Sequence, residues 1–326
     1  MAAKGDVLRT TPLALALKQK YPGSKITWLT DADAAPLLYN NPSVDELLGY
    51  DFYFLTQLSV ERFDRIICLD KEPRAAGLAS ILAGRRKYGF GWDPKGALVP
   101  LNKESRYLYD LGLSDRLKFQ INQKSYQQLI IEAAGLEYTG QKYQYRETPE
   151  ESQWAGAYLS NLFRRGTGLP LIGLNTGVGR AFPTKAWPVE NYARLARSIN
   201  QEKIGRAIIL GGPGEKVLVK KISHLVPGIF ASPCDLSLRR FAALISRLDI
   251  IVSADSLAMH LGIALERKVI ALFGPTCSQE IDLYGRGEKL DLRLDCSPCY
   301  KTSCAGAKCL AGISQEDVLA AVKRNL

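Results

Sequence analysis

Two short apolar runs, Asp249–Val252 and Lys268–Phe273, flank an apolar helical pattern that begins at Asp255-Ser256. This stretch, through Thr276, constrains the fold more than any other. The runs are too short for helices and too apolar for a sheet with one wet face, so they read as buried parallel strands. With the helix between them they make a βαβ unit. Its polar residues fall at the carboxyl end of the first strand, where α/β folds place ligands. The helix start directs free N–H groups and a positive dipole end at the same spot, which suits a phosphate. A plain strand–helix turn with Asp255 or Ser256 as N-cap fits the same residues.

Leu171–Pro188 repeats this logic. A strand, Leu171–Leu174, enters a Gly-rich turn carrying Thr176, Arg180, Thr184 and Lys185, and Trp187-Pro188 then opens a helix. Cations and hydroxyls at a strand end are what a pyrophosphate needs. A solvated basic loop is the alternative. The turn is not a dinucleotide fingerprint, because Phe182 stands at the third glycine position. Strand and helix patterns alternate elsewhere too, which predicts parallel sheets. In the first half, strands are expected at Lys25–Leu29, Arg65–Leu69 and Lys87–Phe90, with a helix over Pro12–Lys20. A polar, aromatic-flecked passage, Glu137–Glu150, reads as a linker. Ser314 with Asp317 resembles a capping box and starts a last helix.

A chain of 326 residues predicts two domains. No run reaches the roughly 18 apolar residues that span a bilayer. The amino end, Met-Ala-Ala-Lys-Gly-Asp, has no apolar signal core, and seven cysteines without an export signal suit a reducing compartment. A cytoplasmic protein is expected. The net charge of +10 is uneven: residues 1–150 carry +2 and residues 151–326 carry +8. The basic half suits an anionic nucleotide, or a peripheral hold on the anionic face of an inner membrane. Nucleic acid is not expected, because no basic run interleaves with aromatics in a recognisable module.

Four motifs in order resemble glycosyltransferase family 9, the heptosyltransferases of lipopolysaccharide synthesis. They are Gly5-Asp6-Val7-Leu8-Arg9-Thr10-Thr11-Pro12, Asn175-Thr176-Gly177, Lys185-Ala186-Trp187-Pro188 and Asp255-Ser256-Leu257-Ala258-Met259-His260-Leu261. Arg62–Gly91 and Leu236–Asp249 look similar as well. The resemblance implies a GT-B fold: α/β, two Rossmann-like αβα domains facing each other across a cleft. The expected divisions are 1–148 on the acceptor side, 149–313 on the nucleotide-sugar side, and a terminal helix, 314–326, able to pack back on the first domain. The implied activity is inverting and metal-independent. A heptose or related sugar moves from an ADP-sugar donor to a lipopolysaccharide inner-core or similar glycan acceptor.

The resemblance puts Asp6 in the role of base. Gly5 is expected to turn the chain tightly, with a helix beginning near Thr11-Pro12; Asp6 as a plain helix cap is the alternative. Lys185 matches the family's phosphate-binding lysine. Thr176, Arg180, Thr184, Gly212, Asp255, Ser256, Leu257, Met259 and His260 complete the donor side. Asp255 is read as orienting the turn or touching sugar hydroxyls, and His260 as a packed, hydrogen-bonded residue. Arg9, Thr10 and Arg74 are the acceptor-side candidates. No D-x-D pair stands where a divalent metal could hold a diphosphate.

Cys296, Cys299, Cys304 and Cys309 form C-x2-C-x4-C-x4-C. Four thiolates that close would suit structural zinc or iron. Free thiols and disulfides are the alternatives, and none of the three enters catalysis. Two departures stand out. Family members begin with an apolar strand before the Gly-Asp pair, whereas only Met1-Ala2-Ala3-Lys4 precede Gly5 here. Either the start is shortened or the first domain is rebuilt. Leu257 and Cys277 also stand where many members have Gly and Asp, which leaves the donor sugar open. A catalytically impaired nucleotide-binding protein with an assembly role is the competing expectation.

Overall fold

The computed structural model describes residues 3–163, 168–179 and 181–326. They divide into two compact units, Met1–Arg146 with Gln279–Asp282, and Glu147–Ser278 with Leu283–Leu326.

The first unit runs α1 (Lys4–Lys20), β1 (Thr27–Thr30), β2 (Glu46–Gly49), α2 (Phe52–Val60), β3 (Arg62–Cys68), α3 (Pro73–Ile81), β4 (Ala83–Trp92), β5 (Leu98–Pro100), α4 (Ser105–Asp110) and α5 (Tyr126–Ala133). Its strands form two separate sheets. β1 pairs in parallel with β2, while β3 pairs in parallel with β4, which meets β5 antiparallel. Here α1 corrects the sequence reading: it begins at Lys4, not near Pro12, and both Gly5 and Asp6 are helical. Pro12 lies inside it, where a proline removes one N–H and strains the turn before it. The Leu8 carbonyl left without that donor accepts the Thr11 hydroxyl at 2.7 Å instead.

The second unit runs α6 (Pro149–Leu162), β6 (Leu171–Asn175), α7 (Val189–Gln201), β7 (Arg206–Leu210), α8 (Lys216–Leu225), β8 (Phe230–Ala231), α9 (Leu238–Ile245), β9 (Ile250–Ala254), α10 (Leu257–Ala264), β10 (Lys268–Phe273), β11 (Gly287–Asp291), α11 (Lys308–Ala311) and α12 (Gln315–Arg324). Its six strands form one parallel sheet in the order β11-β10-β9-β6-β7-β8. Every residue of β9 is buried, as its continuous apolar run requires. α6 starts in a capping box between Thr148 and Glu151. Ser314 caps α12 by accepting the Asp317 amide at 3.0 Å. Val318, Ala321 and Val322 of α12 are buried in the second unit's core with Trp187, Tyr192 and Leu310.

Strand order reverses at β6–β9: the chain leaves β6 toward β7 on one side and returns to β9 on the other. Such a switch point opens a crevice at the carboxyl ends of the strands. Asn175 and Ser253 pair in register there.

Candidate functional site

Asn175 organises the crevice of the second unit. Its side-chain amide donates to the Gly177 carbonyl at 2.8 Å and to the Ser253 and Ser256 hydroxyls at 3.1 Å each. Ser256 therefore turns toward β6. It occupies the N-cap position of α10 yet makes no capping hydrogen bond. This corrects the reading of Ser256 as a helix cap. The first amides of α10 have no side-chain cap, and the positive end of the helix faces the switch point.

Asp255 stands between Lys185 and His260. Its carboxylate lies 3.5 Å from the Lys185 ammonium and 3.6 Å from His260 Nε2. Lys185 and Asp255 are largely buried, with side chains 14% and 18% exposed, so their attraction is weakly screened. Lys185 also lies over the Phe182 ring, 5.5 Å from its centroid. His260 is buried one turn into α10 and faces Asp255, which orients its ring. Met259 is fully buried and Leu257 half-buried.

Other donor-side candidates have structural duties. The Thr176 amide and hydroxyl both donate to the Leu210 carbonyl at 3.0 Å, fastening β6 to β7. Thr184 donates to the Lys301 carbonyl at 2.7 Å and is engaged by the cysteine-rich segment. The Gly212 amide donates to Glu215 at 3.0 Å. Arg180 lies outside the described residues.

In the first unit, Asp6 sits in the first turn of α1, where a carboxylate is favoured by the helix dipole. Its Oδ1 lies 2.8 Å from Arg9 Nε, and its carbonyl accepts the Thr10 hydroxyl at 2.7 Å. Arg9 in turn lies over the Tyr126 ring, 3.7 Å from its centroid. Burial opposes the Arg9 charge, but Asp6, Tyr126, Glu280 and Tyr143 outweigh it and hold the guanidinium above its ordinary pKa. Asp6, Arg9 and Thr10 thus form one cluster. Arg74 belongs to another: it pairs with Glu72 at 2.7 Å, reaches Asp31 at 3.8 Å and covers Tyr50.

The sequence model of glycosyltransferase family 9 (heptosyltransferase) matches residues 52–310. The chain belongs to glycosyltransferase family 9. It is 26% identical over 299 residues to lipopolysaccharide heptosyltransferase 2 of Escherichia coli (strain K12), covering 83% of this chain and 80% of that protein. The glycosyltransferase family 9 structure from Veillonella parvula superimposes with a TM-score of 0.78 at 20% identity, covering 100% of this chain and 94% of that one. The E. coli ADP-heptose lps heptosyltransferase II structure gives 0.72 at 20% identity, covering 100% and 96%. The fold is GT-B, and the protein is a glycosyltransferase.

Family membership directs attention to residues that single-sequence reasoning left without a role. Ser253, beyond the expected end of the strand at Val252, is part of β9, and its hydroxyl meets both Asn175 and Ser256. Glu215 likewise meets the Gly212 amide, and its Oε2 would lie 3.3 Å from a Cβ on Gly177. A side chain there would push that carboxylate by a few tenths of an ångström.

The cysteine-rich segment is packed against the carboxyl end of β10. Cys299 and Tyr300 amides donate to the Pro275 carbonyl at 3.0 and 2.8 Å. A Cβ on Gly274 would meet Leu310 Cδ2 at 1.7 Å, so glycine is required there. All seven cysteines are free, and among the described residues no three His, Cys, Asp or Glu side chains are arranged to hold a metal. Burial pushes the Cys309 thiol above its ordinary pKa, with added repulsion from Cys299 and Cys296. Burial likewise raises Cys68, to about 11. Among the described residues no helix is long and apolar enough to cross a membrane.

Proposed function

We propose that this glycosyltransferase moves a heptose from an ADP-sugar to a lipopolysaccharide inner-core acceptor, with inversion and without a metal. The observation that carries this is the Lys185–Asp255–His260 chain at the uncapped start of α10, in a member of family 9. The Lys185 ammonium and the α10 amides meet the diphosphate and take up the charge that develops on departing ADP. Asp255 does not bind phosphate. It holds Lys185 on one side and the His260 ring on the other, which lowers the reorganisation needed as the leaving group departs.

Asp6 serves as base for the acceptor hydroxyl. Arg9, at 2.8 Å, pairs with the carboxylate and aims it. The acceptor oxygen attacks the anomeric carbon opposite the diphosphate in one displacement, its proton passing to Asp6. Arg9 and Thr10 frame this side, and Arg74 offers a cation to acidic sugars or phosphates. The work takes place on the cytoplasmic face of the inner membrane, with the basic second half contributing a peripheral hold. The four cysteines stand apart from this chemistry. A structural zinc or iron there would require the thiols to close from their present arrangement. Elemental analysis of fully reduced protein decides the point, and metal-free protein would remove it.

The test is an assay with ADP-heptose and inner-core acceptor in the presence of a chelator. Transfer with one ADP released per sugar supports the proposal. Transfer that stops with chelator and returns with a divalent metal would overturn the metal-free reading. A product that keeps the donor's anomeric configuration would overturn the single displacement.

A further inference from the structure

The turn that carries Lys185 is short. Pro183–Lys185 is a single 3-10 turn, closed by the Lys185 amide donating to the Phe182 carbonyl at 3.1 Å, and it has no side-chain cap. A lysine has more rotamer freedom to lose than most residues, so a site that needs its ammonium in one place must hold it there. At 3.5 Å, Asp255 attracts the Lys185 ammonium without a short hydrogen bond to fix it. A further contact comes from the Phe182 ring, whose centroid lies 5.5 Å away.

Phe182 and Thr184 flank Pro183, and both are held from one place. The Phe182 ring meets the Tyr300 ring edge-on, with centroids 6.2 Å apart and planes at 85°, a favoured aromatic geometry. The Thr184 hydroxyl donates to the carbonyl of the next residue, Lys301, at 2.7 Å. Tyr300 is itself fixed to the end of β10. Its amide donates to the Pro275 carbonyl at 2.8 Å, and its hydroxyl accepts from the Cys277 amide at 3.5 Å. Nearby, the Ser297 hydroxyl donates to the Gly274 carbonyl. Tyr300 also has a φ of 51°, a left-handed backbone that residues other than glycine seldom adopt. Such a conformation persists where the surroundings over-determine it, and it gathers at sites whose geometry matters.

We propose that Tyr300 is a positioning residue for the donor: with the Lys301 carbonyl it clamps the Phe182–Thr184 turn and so holds the Lys185 ammonium beside Asp255. Tyr300 does not touch the diphosphate and acts through Phe182. The inference rests on the reading that Lys185 meets the diphosphate. It gives the cysteine-rich segment a part in donor binding although none of its thiols enters the chemistry.

The experiment titrates ADP calorimetrically into the full chain and records each variant's melting temperature alongside. Tyr300→Leu keeps apolar bulk and removes the ring edge. It should weaken ADP by about 3–10-fold. Tyr300→Phe keeps the edge and should bind ADP within about two-fold of wild type. Thr184→Val removes the other arm of the clamp and should cost about 2–10-fold; it carries the same comparison if Tyr300→Leu fails to fold. The deciding step repeats both substitutions in Lys185→Ala. Neither should weaken ADP further there, because no ammonium remains to be positioned. The same loss with and without Lys185 would mark a merely structural role and overturn the proposal. So would unchanged ADP affinity in Tyr300→Leu while Lys185→Ala weakens it. Unchanged ADP affinity in Lys185→Ala would remove the reading beneath the proposal, and the proposal with it.

Discussion

The two units use the same βαβ grammar and reach different degrees of closure. In the second, six parallel strands bury one continuous core, and β9 at its centre is wholly inaccessible. In the first, two small sheets face each other across a cavity, and the apolar residues on its two sides fall into separate clusters. A continuous sheet positions side chains through backbone on every side. The Asn175–Ser253–Ser256 contacts that set the start of α10 depend on the β6–β9 register. Asp6 instead depends on a single helix, its own neighbour Arg9, and the packing of that helix. The group proposed to meet the donor is held by the sheet, and the one proposed to meet the acceptor is held by one element.

The sharpest probe of this contrast is a pair of site variants. Asp6→Ala should lower transfer by about 10²–10⁴-fold while ADP affinity stays as in the wild type. Equal transfer by variant and wild type would remove Asp6 from the mechanism. Lys185→Ala should act on the other side, weakening ADP by roughly 10–100-fold, the worth of a charge-assisted hydrogen bond. Calorimetric titration checks it; unchanged ADP affinity would separate Lys185 from the donor.

Core truncations probe closure itself. Ile172→Ala, at a fully buried position of β6, should cost about 2–5 kcal/mol. Ile67→Ala, beside the cavity, should cost about 1 kcal/mol, because its surroundings are already loosely packed. Denaturant titration compares them, and equal costs would break the distinction between the two units.

A further effect concerns acid. Burial opposes the Glu151 charge, but Arg239, bonded to both its oxygens at 2.7 Å, with the Thr148 amide, draws its pKa below the ordinary 4.5. A depressed carboxylate stabilises the fold above its unfolded pKa and loses that contribution as pH falls through the folded one. Arg239→Gln should therefore destabilise the second unit by about 1–3 kcal/mol at neutral pH. The difference from wild type should shrink below pH 4.5, as thermal melts across that range would record.

The second unit was legible because its signals are local and mutually consistent. Short apolar runs, Pro188 near a helix start and Ser314 before Asp317 each specify one element, and each element formed within a few residues of its expected place. The pairing of Lys185 with Asp255 was not legible. It joins residues seventy positions apart, and only the strand order brings them together. The first unit was harder to read for a physical reason. Pro12 argued for a helix start, and the sequence gives no cue that the Thr11 hydroxyl compensates the Leu8 carbonyl and lets α1 continue. β2 and β5 are four and three residues long and carry too few alternations to register. Ser256 looked like a cap by residue type, yet Asn175, distant in sequence, competes for its hydroxyl.

We propose that a family 9 chain with Lys185 beside Asp255 at the start of α10 transfers a heptose using Asp6. The most direct measurement is single-turnover mass analysis of an inner-core acceptor incubated with ADP-heptose and either wild-type enzyme or Asp6→Asn. The expected result is an acceptor heavier by one heptose with wild type, and ADP-heptose bound but intact with the variant. An unmodified acceptor with wild-type enzyme that has bound ADP-heptose would contradict it.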